Sequence, residues 1–247
     1  MNWYEKAFSK NYLDVYEHRT DEQAQAEVLL ACKLLKLNKE KVVLDLCCGS
    51  GRHVFALSPF VKFIVGYDLS LDLLNCAVKN NNSKKLSNIF WQKGDMRHLG
   101  YRGTFDAIVN FFNSFGYFAD EMENLQVIKN IFNALKPKGV VLIDLMNKPF
   151  IINNMVPQSE KKINQFLINE KRALSNDGLR VEKHVKIYQD NKLVNEYQES
   201  VRMYTTEELS LFFKAAGFSS LQFYGNFEQT ILTEASPRLL LIAEKPS

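Results

Sequence analysis

At 247 residues with 46% hydrophobic side chains, the chain is long enough to bury a complete α/β core, and nothing in its composition demands a second domain. A formal net charge of +3 is too small to imply a nucleic-acid partner without a clustered basic face, and the lysine pairs at Lys84, Lys85 and Lys161, Lys162 lack the interleaved aromatics of a nucleotide-stacking platform. No apolar run approaches the roughly 18 residues of a membrane span, the opening MNWYEKAFSK has no leader pattern, and Cys32, Cys47, Cys48 and Cys76 make no C-x-x-C pair, so the expectation is a cytoplasmic protein with reduced thiols, no metal, no membrane partner and no nucleic acid.

In chain order, the aromatics Trp3, Tyr4, Phe8, Tyr12 and Tyr16 predict short helices covering something. A helix follows over Thr20 to Leu37, with Thr20 and Gln23 as a capping box and an inward stripe of Val28, Leu29, Cys32 and Leu35. From Val42 short apolar runs alternate with helical patterns: VVLDLCC, FIVGYD, IFWQKGD, FDAIVNFF and GVVLIDLMN. Alternation of this kind predicts parallel strands joined by crossover helices, with helices on both faces of the sheet. After Asn147 about 55 residues pass without a helical repeat, and antiparallel strands are expected there, turning at Asn176 to Gly178 and at Gln189 to Lys192. The capping box of Thr205 and Glu208 then opens TTEELSLFFKAAG, a helix that Gly217 ends, before two last strands around 221–227 and 239–243. The boundaries follow as a helical cover at 1–37, a core at 38–149, a β-rich insertion at 150–204 and a closing segment at 205–247.

The strongest chemical signal is VVLDLCCGSGRH, a strand that carries Asp45 and ends in Gly49 and Gly51 before a helix. Glycines there let the backbone turn tightly and approach a ligand, so a nucleotide cofactor is expected above the turn. A dinucleotide site wants a small third residue where this chain has Val54, and an acid four residues before the first glycine suits a cofactor with an amino group. Asp68, seventeen residues after Gly51, ends the second strand where a carboxylate can receive both hydroxyls of a ribose. Asp95 and Met96, in GDMR at the end of the third strand, stand where an adenine would lie; Asp95 also reads as a turn cap. Cys47 and Cys48 read as small strand residues on opposite faces, not nucleophiles, since nothing basic flanks them.

Together, DLCCGSGRH, YDLS, GDMR, NFFNSFGYF, NALKPKGVVLIDLMN, RMYTTEELSLFFKAAGF and SPRLLLIAEKP resemble the class I S-adenosylmethionine-dependent methyltransferases over almost the whole chain, in the bacterial small-molecule branch. The resemblance implies a doubly wound, Rossmann-like seven-stranded sheet with an antiparallel last strand and the β-rich insertion after strand five. It implies S-adenosylmethionine as cofactor, with Asp45, Gly49 and Gly51 on the methionine part, Asp68 on the ribose and Asp95 on the adenine. Cys47, Leu69, Met96 and Asn110 complete the candidate cofactor contacts, and Arg19 is placed to reach the cofactor's carboxylate.

Departures from related families narrow the acceptor. No Pro-Pro-aromatic follows strand four, as it does in enzymes acting on nucleobase or glutamine amines, and no cysteine lies beyond Cys76 to serve RNA carbon methylation. The candidate acceptor wall is Tyr12, Tyr16, Phe111, Ser114, Arg202 and Tyr204, the last two taken with Ser200 as one face of a strand. The expected reaction is direct displacement onto a nitrogen or oxygen of a small molecule, with no assigned catalytic residue and His18, His184 or a tyrosine as bases if one is used. The alternatives are an NAD-linked oxidoreductase, opposed by Val54, and a non-catalytic cofactor-binding protein.

Overall fold

The computed structural model describes residues 2–8 and 21–247. Seven strands form one sheet: β1 (Val42–Leu46), β2 (Phe63–Asp68), β3 (Ile89–Lys93), β4 (Phe105–Asn110), β5 (Leu135–Met146), β10 (Ser220–Tyr224) and β11 (Arg238–Glu244). Their order is β10-β11-β5-β4-β1-β2-β3, and β11 runs antiparallel to both of its neighbours. The chain thus winds outward in both directions from the β1–β4 pair, and a crevice opens at the carboxyl ends of those strands.

Both faces of this sheet are buried, which explains the near-continuous apolar runs of the central strands. Val43, Ala107, Val109, Leu142 and Leu240 point to one side, beneath α2 (Asp21–Leu34) and α3 (Arg52–Leu57). Leu44, Ile108, Val141, Ile143 and Leu241 point to the other, beneath α5 (Glu121–Ala134) and α7 (Thr206–Ala216). Between them in sequence, α4 (Leu71–Lys84) buries Leu73, Leu74 and Ala77. The stripe of α2 differs from expectation: Ala24, Val28 and Ala31 are its buried residues, whereas Leu29 is exposed and Cys32 half-buried. Small alanines set the close approach of this helix, and a hydrophobicity pattern weights them too lightly. The expected cap at Thr20 lies outside the described residues. At α7 both halves of the capping box form, and Gly217 takes the left-handed conformation at φ 108°.

After β5 come α6 (Lys148–Asn154) and four consecutive antiparallel strands, β6 (Gln158–Ile163), β7 (Phe166–Leu174), β8 (Arg180–Gln189) and β9 (Lys192–Arg202). Asp190 and Asn191, at φ 50° and 62°, make the two-residue left-handed turn that suits a hairpin. Ile168, Val185, Ile187 and Tyr197 of this second sheet pack against Ala7 of α1 (Trp3–Ala7). Arg180 ties the sheet to the loop after β4, donating to the carbonyls of Phe118 and Gly116, each at 3.1 Å.

The two motif glycines do different work. Both have positive φ, but a Cβ on Gly51 would stand 2.3 Å from the ring of Trp91, while one on Gly49 meets only Leu73, at 3.8 Å. A left-handed backbone costs alanine about 1–2 kcal/mol at either position, and overpacking adds about 1–3 kcal/mol at position 51 alone. Urea unfolding should therefore find Gly51→Ala the more destabilised of the two variants; equal losses would remove Trp91 from the explanation.

Candidate active site

The crevice is a cleft of about 960 Å³ with the large sheet's strand ends as its floor and the insert sheet as its roof. Asp45, Cys47, Gly49, Asp68, Leu69, Asp95 and Met96 line the floor. Gly51 and Asn110 do not: Gly51 is turned toward Trp91, and Asn110 is buried below, its Nδ2 donating to the Leu46 carbonyl at 2.8 Å. Asn110 thereby joins the end of β4 to the end of β1 and supports the floor from beneath. Tyr12, Tyr16, His18 and Arg19 lie outside the described residues.

Asp68 holds the floor together. Its Oδ2 accepts from the Gly49 amide at 2.7 Å and its Oδ1 from the Ser70 amide at 2.8 Å, leaving each oxygen a further lone pair for ligand hydroxyls. Burial pushes this carboxyl up, against the pull of those backbone donors. Asp45 is fully buried, and its Oδ2 has no hydrogen-bond partner. Burial first, then the charge of Asp68, raise its carboxyl well above the ordinary 3.8, with Arg52 opposing.

Asp95 does serve as a cap: its Oδ1 accepts from the Arg97 amide at 2.8 Å, and the Arg97 guanidinium grips both of its oxygens. Burial raises the Asp95 carboxyl, but these bonds outweigh it and the group stays below its ordinary value. Cys47 departs from the expected strand geometry, because β1 stops at Leu46 and Cys47 turns left-handed at φ 64°. Burial, then the charges of Asp68 and Asp45, push both Cys47 and Cys48 well up, so they are thiols and not nucleophiles.

Beyond β4 the backbone is strained, with Phe112 at φ 60° and Asn113 at φ 55°. Asp144 of β5 holds this turn by accepting from the Phe112 amide at 3.0 Å, and Asn113 Oδ1 accepts from the Met146 amide at 3.1 Å. Ser114 lines the cleft with its hydroxyl donated to the Phe111 carbonyl.

A chain of buried and half-buried ionisable groups stands behind this turn. Arg238 bridges Asp144 and Glu27 at 2.8 Å each, and Glu27 meets His53 Nε2 at 2.9 Å. His53 stacks on Phe111 with ring centroids 4.2 Å apart, and burial, outweighing Glu27, keeps it an uncharged imidazole. The sequence reading missed these four residues. His53, Asp144 and Arg238 each lie in a quoted motif, but nothing in those motifs joins them, and Glu27 and Arg238 are 211 positions apart.

The acceptor wall needs correction. Arg202 and Tyr204 do not face the cleft: Arg202 pairs with Glu208 at 2.5 Å, and Tyr204 is buried in the core with its hydroxyl 3.1 Å from Glu121. The opposite face of β9, with Glu199 and Val201, meets the cleft, together with Ser159, Lys161, Glu170, Arg172, Val181 and Lys183. His184 sits on the outer face, bonded to Glu196 at 2.6 Å, and is no candidate base. Aromatics of the N-terminal segment cover the floor: Trp3 and Phe8 pack on Tyr117, at 4.9 and 5.7 Å between centroids, and Ser70 Oγ donates to the Phe8 carbonyl at 2.6 Å.

A buried carboxyl with an orphan oxygen, beside a second acid fixed by backbone amides, fits a cofactor that brings a cationic group and ribose hydroxyls. Residues 43–139 match the family model described as a methyltransferase domain. The methyltransferase-family protein YqeM of Bacillus subtilis (strain 168) is 32% identical over 118 residues, so the match takes in about half of either chain, 47% of each. A dTDP-3-amino-3,6-dideoxy-alpha-D-glucopyranose N,N-dimethyltransferase of Streptomyces fradiae is 24% identical over 73% of this chain and 71% of its own. Among solved structures, an S-adenosylmethionine-dependent methyltransferase from Clostridium acetobutylicum ATCC 824 superposes with a TM-score of 0.81 at 17% identity, covering 96% of each chain. Residues 43–139 thus carry a methyltransferase domain, and over nearly its whole length the chain has the fold of an S-adenosylmethionine-dependent methyltransferase, the enzymes whose cofactor is S-adenosylmethionine.

Because folding raises the Asp45 carboxyl, the folded state binds more protons than the unfolded one above about pH 4, and stability falls as pH rises from there through the raised value. Asp45→Asn cannot titrate. Its unfolding free energy should decline less between pH 4 and pH 7 than that of the parent, and parallel profiles in urea titrations would show that Asp45 is ionised throughout.

Proposed function

We propose that the protein transfers a methyl group from S-adenosylmethionine to a nitrogen or oxygen of a small molecule held between the floor and the roof of the cleft. The observation that carries this reading is the cleft itself: its volume is of the size that takes one cofactor and one small acceptor, and the insert sheet roofs it on the side opposite the strand ends. Nitrogen is favoured by the Streptomyces fradiae relative, whose name describes N,N-dimethylation of an amino sugar.

When bound, the cofactor supplies an electrophilic methyl on a sulfonium that leaves readily, so positioning and exclusion of water are the protein's main tasks, worth up to about 7–11 kcal/mol. In this reading Asp45 receives the cofactor's ammonium, Asp68 its ribose hydroxyls, and Asp95 with the Met96 amide its adenine. Gly49, Cys47 and Leu69 border it through backbone and small side chains. The turn from Phe111 to Ser114 borders the acceptor, held by Asp144, and the Trp3, Phe8 and Tyr117 cover excludes water.

Asp68→Ala removes charge-assisted hydrogen bonds worth about 1.5–3 kcal/mol each and should weaken S-adenosylhomocysteine at least tenfold by calorimetry; unchanged binding would remove Asp68 from the site. Binding to the parent should also release a proton, as an ammonium entering beside Asp45 favours its ionised form, and Asp45→Asn should abolish that release. For the reaction, the protein is incubated with S-adenosylmethionine and a panel of amino sugars, amines and polyols. Formation of S-adenosylhomocysteine with a methylated amine is expected, and methylation confined to carbon would overturn the assignment.

A further inference from the structure

One buried titratable group on the wall of the cleft takes no part in holding the cofactor. His53, near the start of α3, is the only histidine among the described residues that lines the cleft. Its ring lies against Phe111 with 17° between the planes, and Phe111 opens the turn that borders the proposed acceptor. Stacking fixes the plane of the imidazole, and the Nε2 bond to Glu27 fixes its rotation within that plane.

Which nitrogen keeps a lone pair follows from Glu27. Burial raises that carboxyl, but the bonds to His53 at 2.9 Å and to Arg238 at 2.8 Å outweigh it and hold the group below its ordinary value. An ionised carboxylate only accepts, so Nε2 carries the imidazole proton and Nδ1 the lone pair. Nδ1 has no partner among the described residues, and it is not one of the polar atoms sealed away from solvent. A ring that only filled space beside Phe111 would be held at least as stably without a desolvated carboxylate behind it. The charged groups facing the ring are Glu27 from α2, Arg52 from α3 itself and Arg238 from β11. Burial, joined by the two arginines, keeps the imidazole below its ordinary 6.5 against the pull of Glu27, so at neutral pH it is free to take a proton. Tyr4 and Tyr67 also line the cleft, but burial raises both hydroxyls, the second to about 12, and they keep their protons.

We infer that His53 is the general base of the reaction, taking a proton through Nδ1 from an acceptor nitrogen that arrives as an ammonium, with Glu27 as its positioning residue. This rests on the reading that the protein methylates a nitrogen of a small molecule in the cleft. The acceptor's N–H bond breaks, its proton passes to Nδ1 and its electron pair stays on nitrogen. That pair forms the new bond to the methyl carbon, and the pair of the broken carbon–sulfur bond goes to sulfur. Glu27 steadies the imidazolium through Nε2 until the proton leaves to water after the product.

The test has two readouts on the full chain. The first is histidine ¹⁵N NMR of the protein saturated with S-adenosylhomocysteine, with the His53 signal identified by its loss in His53→Gln. A proton on Nε2 at neutral pH is expected, with a midpoint below 6.5. Glu27→Gln should remove the tautomer preference and lower the midpoint further. A proton on Nδ1 in the parent, or an unchanged signal in Glu27→Gln, would overturn the base. The second is the single-turnover rate of methyl transfer to an amino sugar that the parent methylates. At pH 7 that rate should fall at least about a hundredfold in His53→Gln, and in the same direction in Glu27→Gln, with S-adenosylhomocysteine affinity kept in both. Near pH 10, where the amino sugar is already a free amine, the loss in His53→Gln should shrink to a few-fold. A rate undiminished in His53→Gln, or a loss equal at both pH values, makes His53 a packing residue and overturns the proposal. If S-adenosylhomocysteine binds, the NMR shows the expected tautomer and no amine is methylated, it is the proposed function that fails, and the base falls with it.

Discussion

The double acceptance by Asp68 is the contact on which the cofactor side of the molecule depends. One carboxylate, at the end of β2, fixes the amide of Gly49 in the turn after β1 and the amide of Ser70 at the start of α4. Two loops that belong to different crossovers are thus referred to a single pair of oxygens. The left-handed backbone at Gly49 is held in place by that bond, and the cover follows, because Ser70 in turn binds the Phe8 carbonyl. A carboxyl in this position is desolvated and raised, yet the backbone donors keep it able to accept more. The floor's two loops are tied to one carboxylate before any ligand arrives.

The sheet was legible in the sequence because its signals are local. Each strand announces itself as a short apolar run, each crossover by its spacing, and the α7 boundaries by a capping box and a glycine within a dozen residues. The acids at strand ends were legible for the same reason: strand polarity places Asp45, Asp68 and Asp95 at one edge once the strands are parallel. Cys47 was misplaced because the strand's apolar pattern runs past the point where backbone torsion breaks it.

The acceptor wall was illegible because it depends on which face of a four-stranded insert meets the cleft. A two-residue period defines both faces of β9 equally well, and only the register of β9 on β8, the packing of α1 and the anchorage of Arg180 decide between them. Arg202 and Tyr204 share a face that packs down on α5 and α7, while Glu199 and Val201 share the other. The ion chain from Asp144 through Arg238 and Glu27 to His53 was equally out of reach. Its members come from β5, β11, α2 and α3, and no spacing rule relates them.

Arg180 gives the roof a mechanical meaning. Its guanidinium is bonded to the loop that begins at the strained turn after β4, and Gly116 of that loop accepts in addition from the Arg202 amide at 2.9 Å. Roof and floor are therefore two arms of one clasp, hinged through a few carbonyl groups. A molecule that grips both arms closes a thermodynamic cycle. Any free energy by which its contact with the roof steadies the turn after β4 is returned, in equal measure, as a preference of the ordered turn for a loaded roof. Two ligands that each engaged one arm would be coupled through those carbonyl groups even where they did not touch.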